Sequence, residues 1–139
     1  MDITISFPGG AAVDATFKGF KVHTDQTPEH GGGATGPEPF DLFLASLGAC
    51  AGLYALRFCQ QRAIDTAGLG VKLSTTKDPG MPRLRTVRLE IQLPEGFPEK
   101  YREAIVRTAD QCPVKRHILE PPEMEVVAIA APRPAAVGA

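Results

Sequence analysis

Hydrophobic and polar positions alternate from the first residues of the chain. Ile3, Ile5 and Phe7 interleave with Asp2, Thr4 and Ser6, the period of a half-buried strand, and Pro8-Gly9-Gly10 ends the run. Ala12 to Phe17 follows that turn, and Lys18-Gly19 connects it tightly to a third run, Phe20 to Thr24, so three short antiparallel strands open the chain. From Asp25 to Glu38 the period vanishes in DQTPEHGGGATGPE, which reads as a long loop, either disordered or functional. The pattern then changes. Leu42 to Leu56 holds fifteen residues without a charge, closed by Asp41 and Arg57. A bilayer asks for about 18 to 20 apolar residues, so the reading is a helix buried on nearly every side within protein. Pro39 suits its first turn, and it is expected to run to Asp65 or Thr66, ahead of Gly68 and Gly70.

Val71 to Thr76 and Leu84 to Leu93 return to the strand period, with Val87, Leu89, Ile91 and Leu93 on one face and Asp78-Pro79-Gly80 supplying the turn between the two. Phe97 to Asp110 reads as a helix on its apolar positions Tyr101, Ile105 and Ala109, and Pro113 opens a short third helix that stops before Pro121-Pro122. Met124 to Ala130 reads as a final strand, and the residues after 131 as a frayed tail. The order β-β-β-α-β-β-α-α-β indicates an α+β fold rather than a doubly wound sheet. With 139 residues one domain is expected, over residues 1–131, with the tail at 132–139.

Composition narrows the function. Apolar residues make up 43% and charged residues 22%, and the net charge is −1, without the basic excess of a nucleic-acid binder. The N-terminal residues lack a basic stretch followed by an apolar run, so a cytoplasmic protein, neither secreted nor in a membrane, is the expectation. Three cysteines are too few for a disulfide-stapled miniature, and His23, His30 and His117 are scattered without metal-ligand spacing.

The thiols carry the candidate chemistry. Cys50 lies in Leu47-Gly48-Ala49-Cys50-Ala51-Gly52, where small residues leave space around the sulfur. A glycine inside a helix costs about 1 kcal/mol relative to alanine, so two of them call for close approach by a backbone or a substrate. By position alone Cys50 would be a small buried hydrophobe. Cys112 precedes Pro113 and reads as the N-cap of the third helix, where the helix end and the charges of Lys115, Arg116 and His117 favour thiolate. Cys59 falls on the opposite side of the long helix, about 13 Å along it from Cys50, and reads as a bystander.

Asp25-Gln26, the Gly-rich stretch, Gly36-Pro37-Glu38-Pro39-Phe40-Asp41-Leu42-Phe43-Leu44-Ala45-Ser46-Leu47-Gly48-Ala49-Cys50 and the later Cys112-Pro113-Val114 together resemble the OsmC/Ohr superfamily of osmotically inducible and organic hydroperoxide resistance proteins, nearer its OsmC-like branch. The resemblance implies an intertwined homodimer in which the partner covers the apolar helix. It further implies reduction of organic hydroperoxides, with Cys50 peroxidatic, Cys112 resolving, no cofactor or metal, and a dithiol reductant such as a lipoylated protein. Peroxidases of the family place an arginine in the N-terminal strands and an acid shortly before the first cysteine. Here no arginine precedes Arg57. Lys18 stands nearest that place, with Lys21 second, although lysine lacks the bidentate fork. Asp41 is the nearest acid, placed to act across a dimer contact or only to cap the helix, and Glu38 is the second choice. Two other readings stand beside this one: a dimeric protein that holds a small hydrophobic molecule without turnover, and a pair of merely structural thiols.

Overall fold

The structure is a computed structural model that describes residues 1–130. Three strands, β1 (Thr4–Gly9), β2 (Ala12–Phe17) and β3 (Phe20–Thr24), form an antiparallel sheet in the order β1-β2-β3. The register slips between Ser6 and Gly9, across Pro8, which has no N–H to offer the ladder. Phe17 pairs with Phe20, so Lys18 and Gly19 alone make the turn, at φ 48° and 79°. Positive φ at both central residues is what a type I′ hairpin turn requires.

The long helix α1 (Pro39–Gln60) starts on a capping box: the Glu38 side chain accepts from the Asp41 backbone N–H, and the Asp41 carboxylate accepts from the Glu38 N–H at 3.0 Å. It stops at Gln60, five or six residues before the expected end. Ala63 takes a left-handed φ of 51°, and the N–H groups of Ala63 and Ile64 return to the carbonyls of Gln60 and Cys59, closing the helix in a position more often given to glycine. β4 (Gly70–Lys77) and β5 (Leu84–Gln92) form a second, two-stranded antiparallel sheet. The next helical stretch is shorter than its pattern suggests, a 3₁₀ turn at Glu99–Tyr101 leading into α2 (Arg102–Ala109). α3 (Pro113–Leu119) begins on proline as expected.

The expected final strand is absent: residues 121–130 form no strand, and Met124, Val126, Val127 and Ile129 are exposed. The apolar alternation of this segment marks two different faces but does not specify a partner strand, and the segment joins neither sheet. The tail expected at 132–139 lies outside the described residues.

α1 packs on α2, β4, α3 and β5, whereas β1, β2 and β3 pack chiefly on one another. The core gathers around the end of α1, where Ala55, Phe58 and Cys59 meet Ile105 of α2, with Leu69, Ile91 and Tyr101 closing over them. The Arg62 guanidinium lies 3.7 Å above the Phe58 ring and donates to the Phe58 carbonyl. The buried residues of α1 form a single stripe, Leu47, Ala51, Ala55, Phe58 and Cys59. Within the chain, then, α1 is covered on one side only. Phe40, Phe43 and Leu53 stand exposed, and by length and composition the helix would suffice to cross a membrane.

Candidate functional site

Two elements meet at the thiols. α1 carries Cys50 one position from the buried stripe, and the turn between α2 and α3 carries Cys112, which is 2% exposed. Cys112 is the N-cap of α3 and its carbonyl accepts the Arg116 N–H. Because proline fills the first helical position, the first free N–H of α3 belongs to Val114, and it lies near enough to the Cys50 sulfur to favour its thiolate. The Cys50 thiol lies near enough to Cys112 for each to influence the other, and both are free. Burial holds the Cys50 proton on more strongly than in an ordinary thiol, the neighbouring Cys112 adds to this, and the Val114 N–H works against it. Cys59 sits apart in the core, its thiol also pushed up by burial and only partly relieved by the Arg62 charge.

Apolar space adjoins the pair. A cavity of about 80 Å³ lies between Leu47 and Ala51 of α1, Leu89 and Ile91 of β5, and Val106 and Ala109 of α2, and it is closed by Asp110, Cys112 and Lys115. A wider groove runs along α3 from Phe43 past Val114 and Ile118 to Pro122 and Met124. Phe40 stacks on Phe43 at 5.5 Å between centroids.

The basic residues after Cys112 separate in space. Lys115 lines the cavity with Cys112 and pairs with Asp110. Arg116 and His117 instead line a different depression with Pro113 and Glu120, and the His117 ring donates to the Pro113 carbonyl at 2.7 Å. Lys18 and Asp41 are not drawn into this cluster. Lys18 holds the β2–β3 turn in the sheet that packs chiefly on itself, and Asp41 caps the helix nine residues before Cys50.

The Gly-rich loop is built rather than loose. The Asp25 carboxylate accepts from the backbone N–H groups of Gln26, Gly33 and Thr35 and from the Thr35 hydroxyl, and these bonds pull its pKa from 3.8 to about 2. Gly32 passes so close to Gln26 that an added Cβ would lie 2.0 Å from its carbonyl oxygen. His23 joins this loop to the first sheet, with Nδ1 2.6 Å from the buried Asp14 carboxylate and Nε2 2.9 Å from the Thr35 hydroxyl. The sequence reading missed these partners, as it missed the Val114 N–H. The proline after Cys112 was the available signal for the latter.

A fold of this order, with two cysteines brought together at the start of a helix, defines a small α+β thiol protein. Residues 31–127 match the OsmC-like protein family, and the chain belongs to that family. Solved structures share the fold. An osmotic stress induced and detoxification response protein from Psychrobacter arcticus 273-4 is 21% identical, with 82% of this chain and 85% of that chain covered and a TM-score of 0.70. An OsmC-like protein from Mycoplasma pneumoniae is 22% identical over 85% and 86%, with a TM-score of 0.65. An organic hydroperoxide resistance protein OsmC from Legionella pneumophila is 21% identical over 85% and 89%, with a TM-score of 0.51. No curated protein sequence matches the chain.

Proposed function

We propose that this protein reduces organic hydroperoxides with Cys50 as the attacking thiol and Cys112 as the resolving one. The observation that carries the reading is the approach of Cys50 on α1 to Cys112 at the start of α3, beside apolar space. The Cys50 thiolate attacks a peroxide oxygen, the O–O bond breaks, and the alkoxide leaves with a proton as the alcohol. Cys50 is then a sulfenic acid. The Cys112 sulfur displaces its hydroxyl as water, forming the disulfide, and a dithiol reductant returns both thiols by exchange.

Among the described residues no cation offsets the burial that keeps Cys50 protonated. A second copy is the proposed source. The chain exposes 10,900 Å², where a compact monomer of 14.8 kDa exposes about 7,000 Å². The uncovered side of α1 and the apolar residues Ile3, Ile5 and Phe7 of the first sheet are the surfaces an intertwined homodimer would bury. In that assembly Lys18 of one copy reaches the Cys50 of the other, and Asp41 steadies the approach.

Phe43 and Leu47, which flank the thiols, favour an alkyl chain over a bare peroxide. Stopped-flow oxidation is therefore expected to run faster with cumene hydroperoxide than with hydrogen peroxide, and to disappear in Cys50→Ser. A wild-type rate equal to that of Cys50→Ser would leave a protein that binds a small apolar molecule without turning it over.

A further inference from the structure

The cavity beside the thiols ends on Cys112 and not on Cys50, and its walls from α1, β5 and α2 are apolar. Two charged groups reach it, Asp110 from the turn before α3 and Lys115 from the first turn of α3. They are bonded to each other, Lys115 Nζ donating to Asp110 Oδ1. Other charges nearby are turned elsewhere: Arg116 and His117 face the depression beside Glu120. Among the described residues the Cys50 thiol from α1 also comes close to Cys112.

We propose that Asp110 and Lys115 act as an opposed pair that sets the thiolate fraction of Cys112, and so the rate of the resolving step. The proposal rests on the peroxidase reading for its role and on the cavity for its geometry. The Cys112 sulfur is buried, while Lys115 and Asp110 stand at the cavity's mouth with 36% and 63% of their side chains exposed, so each charge reaches the sulfur through the apolar wall but is partly screened by water. Lysine is a point charge on a flexible stem with three rotatable donors. While Lys115 is bonded to Asp110, the two charges largely cancel at Cys112. As Cys112 loses its proton to the departing hydroxyl of the Cys50 sulfenic acid, the ammonium gains a second anionic partner. The S–S bond forms, the S–O bond breaks, and water leaves. Asp110 restrains this by holding the ammonium back.

An ordinary structural ion pair would respond alike to loss of either partner. An opposed pair responds in opposite directions. With Cys50→Ser and Cys59→Ser as background, Cys112 is the single thiol, and its alkylation by iodoacetamide can be followed from pH 6 to 9 without any peroxide. Asp110→Asn is expected to raise the rate at pH 7 by about twofold to threefold, and Lys115→Met to lower it by a similar factor. Lys115→Arg should keep the wild-type rate, and it serves with Asp110→Asn if Lys115→Met does not fold. Changes in the same direction, or no change in Asp110→Asn, overturn the proposal. Because this readout needs no hydroperoxide, opposite shifts in a protein that loses no thiols to peroxide would dismiss the peroxidase and keep the charge pair. Thiol loss without opposite shifts would do the reverse.

Discussion

Lys18 sits where its chemistry is costly to the fold. A residue other than glycine, asparagine or aspartate at φ 48° gives up about 1–2 kcal/mol of backbone energy, and a type I′ turn is built more easily with asparagine. Lys18→Asn is therefore expected to keep or raise thermal stability while slowing peroxide-driven oxidation of Cys50, by about tenfold if one charge-assisted contact in the transition state is lost. Unchanged kinetics in a stable variant would remove Lys18 from the site and leave Cys50 there. Asp25 gives the pH dependence. Its carboxyl ionises near 2 in the folded protein against 3.8 ordinarily, so its stabilising bonds are fully present above about pH 4 and are lost as pH falls toward 2. Asp25→Asn should lower stability at neutral pH and flatten the stability curve between pH 4 and 2, as measured by urea denaturation. A curve as steep as the wild type's would assign the acid sensitivity to other groups.

At the scale of elements, α1 is the informative case. Gly48 has no atom within 4 Å of the place its Cβ would occupy, and Gly52 meets only Val71 at an ordinary 3.8 Å. Close approach within the chain therefore does not explain Gly48. In an isolated helix Gly48→Ala would add about 1 kcal/mol of stability. If a second copy packs its backbone there, the same change should weaken dimerisation, seen as dissociation at higher concentration in light scattering, with the helical signal retained. Undiminished association would place the dimer contact elsewhere on α1. The helix itself was legible because its apolar run has no competing period, and the strand order was legible because Ile3-Ile5-Phe7 and Val87-Leu89-Ile91 alternate cleanly. The segment from Met124 to Ala130 alternates too, yet it pairs with neither sheet of this chain, because alternation marks a two-faced segment without naming its partner strand. The meeting of Cys50 with Cys112 came from motif resemblance. The Asp25 cradle and the Lys115–Asp110 pair depend on turns whose directions no periodicity encodes.

For the whole molecule, the small core and the uncovered apolar faces belong together with the chemistry. A chain that leaves Phe7, Phe20, Phe40 and Val126 exposed is expected to be an intertwined dimer with an apolar interface above roughly 2,000 Å². A monodisperse monomer at micromolar concentration would contradict that assembly, and with it the supply of Lys18 from a neighbouring copy. The redox claim itself is tested most directly by a peptide map. Fully reduced protein is mixed with one equivalent of cumene hydroperoxide, blocked with a thiol reagent and digested without reductant. The expected result is loss of two of the three thiols per chain and a disulfide joining the Cys50 and Cys112 peptides, with Cys59 blocked as a free thiol. Three free thiols after exposure, or a disulfide that includes Cys59, would contradict it.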